Sequence, residues 1–133
     1  MTLFRYAICL ALTSIVSPVA AQVQFVDVTE EAGIGFAYIN GASGQKYMPE
    51  AVGSGAAFFD ADRDGYIDLY ILNGAPLPGY EGPVGTNALF RNDGDGTFSD
   101  ITESSHTGDA GFGMAAATGD VDNDGLPDLY VAN

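Results

Sequence analysis

The chain has 133 residues, with 18 Asp and Glu against 4 Lys and Arg and a net charge of -14 at pH 7. That balance argues against a phosphate backbone as partner, so no nucleic acid is expected. An apolar content of 47% with 7 Tyr and 8 Phe excludes a disordered acidic tail, and 18 Gly with 6 Pro favour short strands and turns over long helices.

In chain order, residues 1–21 come first and stand apart. Arg5 is the one charge, an apolar run follows over residues 6–16, and Ser17, Pro18, Val19, Ala20 and Ala21 close the segment. A basic start, a short apolar stretch and small residues at the end describe a secretory signal peptide cut near Ala21-Gln22. A membrane anchor would need roughly 20 apolar residues, and Ser17-Pro18 stop the run before that. The expectation is an exported protein, secreted, extracellular or periplasmic, with no membrane span after cleavage. The single Cys, Cys9, falls inside this leader, so residues 22–133 can form no disulfide. A metal is the expected staple.

Residues 23–29 alternate Phe25, Asp27 and Thr29 with Val26 and Val28, a period-two pattern that predicts a strand, with a short helical turn over 27–33. Apolar runs at 55–59 and 69–72 flank the acidic segment 60–68. Pro and Gly mark a long loop over 74–85. Residues 88–92 and 97–102 read as a hairpin about Asp93, Gly94, Asp95 and Gly96. No amphipathic helix of useful length is expected.

The chain then repeats itself. Asp60, Asp62, Asp64 and Asp68 recur sixty residues on as Asp120, Asp122, Asp124 and Asp128; Gly65 recurs as Gly125, Leu69-Tyr70 as Leu129-Tyr130, and Asn73 as Asn133. A second echo links Phe25, Asp27, Thr29 and Glu30 with Phe98, Asp100, Thr102 and Glu103. Short strands at such a period indicate a repeat array.

The acidic loops carry the chemistry. Carboxylates at the first, third and fifth positions of a tight loop converge on one point, and the Gly at the sixth permits the turn. The backbone carbonyl of Tyr66 or Leu126 and the carboxylate of Asp68 or Asp128 complete an oxygen cage. Such a cage suits Ca²⁺, with six to eight oxygens at roughly 2.3–2.6 Å; Mg²⁺ prefers a smaller octahedron, and softer metals want His or Cys. A solvated acidic turn is the plain alternative, and two copies in register argue against it. The EF-hand is excluded, because Ile71 and Val131 stand where it requires Glu. The metal residues expected are therefore Asp60, Asp62, Asp64, Tyr66 and Asp68, and Asp120, Asp122, Asp124, Leu126 and Asp128. Both Ca²⁺ sites are expected to be structural, because the loops offer enough oxygens to fill the shell.

These loops, each after a Gly-rich strand and before Leu-Tyr, resemble the FG-GAP/VCBS repeats also found in the integrin α-subunit propeller. The run Asn87, Ala88, Leu89, Phe90, Arg91, Asn92 through Asp100, Ile101 and Thr102, with Phe25 to Thr29, resembles the N-terminal part of ASPIC/UnbV (cartilage-acidic-protein-like) proteins. The resemblance implies an all-β fold, a β-propeller of seven or eight blades with each calcium loop between the first and second strands of a blade. Residues 22–133 would supply about one and a half to two blades, so the chain reads as an N-terminal fragment lacking the C-terminal ASPIC/UnbV domain. Missing blades of the same propeller are then expected partners, and a short repeat that self-assembles into a ring is the alternative. Residues 23–29 would be an outer strand of a preceding or closing blade. An isolated fragment should expose an apolar face and a strand edge.

Catalytic signals are weak. His106 is the sole imidazole, and Ser104 and Ser105 beside it make no triad by adjacency. Gly94-Asp95-Gly96 lacks the Lys and helix start of a phosphate loop. The expectation is not an enzyme but a binding or adhesion scaffold for an unknown protein or glycan. The alternatives are the N-terminal part of an exported propeller enzyme, a lyase or hydrolase, and a purely structural surface repeat.

Overall fold

A computed structural model describes residues 23–133; the signal-peptide reading of residues 1–21 lies outside the described residues. Strands β1 (Ala56–Phe59), β2 (Asp68–Ile71), β3 (Ala88–Asn92) and β4 (Phe98–Asp100) form one antiparallel sheet in chain order. Strands β5 (Ala115–Gly119) and β6 (Asp128–Ala132) pair in a second. The fold is all-β, one four-stranded meander followed by the first two strands of another, as a partial propeller requires.

The repeat in sequence is a repeat in register. Phe58 faces Leu69 and Phe59 faces Asp68 in the first sheet; Thr118 faces Leu129 and Gly119 faces Asp128 in the second. Asp and Gly mark the loop ends of these strands because their side chains and backbone freedom favour turns over pleated surface.

Both faces of the first sheet are covered, which explains why β2 and β3 are apolar runs and not alternations. Leu69, Ala88 and Phe90 form a cluster on one face, with Ile71 and Phe98, and residues Ile34 and Phe36 pack over it. Tyr70, Leu72 and Leu89 form the other, and Ala116, Leu129 and Val131 of the second sheet cover it. Full burial of side chains such as Phe90 and Leu72 stabilises by about 1.5–3 kcal/mol each. The Tyr70 hydroxyl donates to the Thr107 carbonyl at 2.8 Å, and burial raises its pKa above the ordinary phenol value.

The N-terminal stretch departs from expectation. Residues 23–28 form no strand and are exposed. The Asp27 carboxylate instead accepts from the Thr29 N–H at 3.0 Å and its hydroxyl at 2.7 Å, opening a turn over residues 29–33. Period-two alternation makes a strand only where another strand offers hydrogen bonds, and among the described residues none lies beside this stretch. The chain joins the sheet just afterwards, where the Phe98 N–H donates to the Ala32 carbonyl.

Two helical turns were not foreseen, α1 (Met48–Ala51) and α2 (Thr102–Ser105), each too short to show helical periodicity. His106, left-handed at φ 56°, ends α2. Among the described residues no helix is long and apolar enough to cross a membrane.

Candidate metal centres

Each acidic loop is the connection between two antiparallel neighbours, closed at its base by the Phe59–Asp68 or Gly119–Asp128 pair. The turn is made at two left-handed residues, Arg63 (φ 63°) with Gly65 (φ 93°), and Asn123 (φ 60°) with Gly125 (φ 84°). Gly at the sixth position was legible in the sequence. The left-handed Asn123 is also a residue type that tolerates this region, whereas Arg63 carries no such signal.

In the first loop, Asp60, Asp62 and Asp68 each present a carboxylate oxygen within 4.8 Å of the others. The loop holds them there through its own N–H groups. Asp60 accepts from Gly65 at 3.0 Å, Asp62 from Asp64 at 3.2 Å and Asp68 from Ala61 at 2.8 Å. Asp64 stands outside this triad, and its Oδ1 accepts the Tyr66 N–H at 2.8 Å. The second oxygen of Asp60 is buried and has no hydrogen-bond partner. A buried acceptor left unpaired is costly, and a cation at the triad would satisfy it.

In the second loop the triad is Asp120, Asp122 and Asp124, all exposed, and Asp128 stands outside it. Asp120 accepts from Asp124 at 3.1 Å and from Gly125 at 2.9 Å, and Asp124 accepts from Leu126 at 2.8 Å. Asp128 accepts the Val121 N–H at 2.8 Å, as Asp68 does for Ala61. The two loops thus share a scaffold and differ in which carboxylates converge.

The first loop has a buttress that sequence reading missed. From β3, the Asn92 N–H donates to Asp68 Oδ1 at 2.8 Å and its side chain to the Ile67 carbonyl at 3.1 Å. Gly94 of the hairpin lies against the Tyr66 ring. Arg91 pairs with Asp93 at 2.7 Å. That bond and charge raise the guanidinium pKa, with smaller contributions from Asp62 and Asp64.

Three carboxylates so placed repel, each pair by about 1 kcal/mol at 4 Å in water and about 4 kcal/mol at a protein-surface dielectric. An all-oxygen donor set with this much negative charge fits a hard cation, not a thiophilic one.

An antiparallel meander with an acidic loop between its first two strands, repeated at a fixed period, defines a blade-repeat protein. The chain belongs to the FG-GAP-like repeat family, whose profile matches residues 60–131, more than half of the chain. That span runs from the first acidic loop through most of β6. No curated protein and no solved structure matches the chain.

Proposed function

We propose that the protein is an exported, calcium-stabilised blade module that serves a binding or adhesion scaffold for a protein or glycan, without catalysis of its own. Ca²⁺ would be held in the first loop by Asp60, Asp62 and Asp68 with Asp64 and the Tyr66 carbonyl. In the second it would be held by Asp120, Asp122 and Asp124 with Asp128 and the Leu126 carbonyl. The ion would neutralise the carboxylates and lock the first strand of each blade to the second. The observation that carries this reading is the recurrence of an acidic triad at the same place in two successive blades. The unpartnered Asp60 oxygen supports it further. Export rests on the leader-like composition of residues 1–21, and closer kinship with ASPIC/UnbV proteins rests on the run from Asn87 to Thr102.

Calorimetric titration with Ca²⁺, with Mg²⁺ as control, tests the reading. The expected result is about two Ca²⁺ per chain, one lost in Asp62→Ala and the other in Asp122→Ala, with far-UV circular dichroism strengthening on binding. Absence of heat and of spectral change at millimolar Ca²⁺ would sink the calcium assignment.

A further inference from the structure

The first acidic loop is closed by more than its own atoms. Three contacts reach it from the β3–β4 hairpin, and Asn92 makes or fixes each of them. Its N–H donates to Asp68 Oδ1 at 2.8 Å, and its side-chain amide donates to the Ile67 carbonyl at 3.1 Å. Its Oδ1 accepts the Gly94 N–H at 3.0 Å, which holds Gly94 against the Tyr66 ring.

Three consecutive residues of the loop are thus gripped from β3 and its turn: Tyr66 by its ring, Ile67 by its carbonyl and Asp68 by its carboxylate. The outer two are the residues that would offer a carbonyl and a carboxylate to the cation. Asp68 is fixed at both oxygens, because the Ala61 N–H occupies Oδ2 at 2.8 Å, and the residue is 0% exposed. Each oxygen keeps a second lone pair for an ion. A ligand held in place before the ion arrives spares binding the cost of ordering it. Groups behind the direct ligands of a metal commonly act in this way.

We propose, resting on the calcium assignment, that Asn92 is a positioning residue of the first loop: its side-chain amide clamps Ile67 between Tyr66 and Asp68 and so sets the affinity of that centre for its cation. Coupling of this kind is reciprocal, so the ion steadies the hairpin as much as the hairpin prepares the site.

Calcium calorimetry on the full chain carrying Asp122→Ala, which silences the second loop, reads the first loop alone. Added to that parent, Asn92→Ser keeps a hydroxyl that can accept the Gly94 N–H and preserve the turn, but is too short to reach Ile67. It should weaken Ca²⁺ binding by about 10–100-fold, the usual effect of removing a group that orients a metal ligand. Its circular dichroism and its unfolding midpoint in EDTA should stay close to those of the parent. Ser99→Ala is the control for hairpin stability, since that hydroxyl bonds Asp93 and not the acidic loop; it should leave Ca²⁺ affinity unchanged. Ca²⁺ should also slow amide exchange at Gly94 in the parent and not in Asn92→Ser. Parental affinity in Asn92→Ser overturns the positioning role and leaves the calcium assignment standing. Equal weakening by Ser99→Ala overturns it too, because hairpin stability alone would then account for the effect. A parent that binds no Ca²⁺ overturns the calcium assignment of the first loop, and the role of Asn92 with it.

Discussion

The carboxylate of Asp68 ties the acidic loop to β3: Oδ2 accepts the Ala61 N–H of the loop and Oδ1 accepts the Asn92 N–H of β3, each at 2.8 Å, on a residue 0% exposed. Asp128, sixty residues on, accepts only from Val121 in this way and is exposed. Within the described residues the two positions thus differ in the bonds they accept. Hydrogen bonds to a charged acceptor contribute about 1.5–3 kcal/mol each, and a buried N–H left unpaired costs about as much. Asp68→Ala should therefore destabilise by about 3 kcal/mol or more, and Asp128→Ala by about 1 kcal/mol. Urea unfolding in EDTA measures both free of any metal. Equal effects would show that the bond to Asn92 contributes nothing.

Asn73 is the second position where the repeat keeps a residue and changes its surroundings. Its Oδ1 accepts from the Ile39 N–H at 2.7 Å and the Gly74 N–H at 3.0 Å. Its Nδ2 donates to the carbonyls of Ala37 and Thr86 at 3.2 and 3.1 Å. Only an amide meets all four, so Asn73→Asp loses both donors and sets a charge against two carbonyls. A loss of about 3 kcal/mol is expected, with amide exchange accelerated at Ile39. Asn133 is exposed and donates to Asp109 alone, so Asn133→Asp should cost under about 1 kcal/mol.

Backbone crowding makes a third test. A Cβ on Gly74 would strike the Ile39 carbonyl oxygen and lie 3.0 Å from Asn40 Cα, both main-chain atoms that cannot turn aside. Gly74→Ala should displace the segment around residues 39–41 and destabilise by about 1–3 kcal/mol. Gly53, with nothing within 4 Å, is the control, and Gly53→Ala should be neutral or slightly stabilising. Denaturation midpoints of the two variants make the comparison; equal midpoints would remove the close approach as a constraint.

These relationships separate what could be read from sequence from what could not. The six strands were legible because Asp, Asn or Gly lies near most strand ends, and the sixty-residue lag carried the register of β1–β2 over to β5–β6. The strand expected at residues 23–29 failed because alternation is a local property, whereas pairing needs a neighbour; Asp27 satisfied the Thr29 N–H instead. At the acidic loops, spacing placed the carboxylates on one loop but not which of them converge: equivalent loop N–H groups bond Asp64 and Asp124, and Asp68 and Asp128, yet one of each pair stands outside its triad. The Asn92 and Asn73 bonds span 24 and up to 36 positions, beyond any local pattern.

The β3–β4 hairpin should respond to acid in a way that identifies its strongest bond. The Ser99 hydroxyl, donating at 2.6 Å, holds Asp93 below the ordinary carboxylate range, with Arg91 adding to the effect. The Thr97 hydroxyl and N–H do the same for Asp95. A folded-state pKa below the unfolded one contributes stability that is present above the ordinary Asp range. It is lost as pH falls through the folded value, below about pH 4. Both carboxylates lie at the surface, so the expected event is local fraying of the hairpin and not global unfolding. Carboxyl NMR titration should show the Asp93 pKa rising in Ser99→Ala by more than in Arg91→Ala. The reverse order would make the ion pair, and not the hydroxyl, the group that pins the turn.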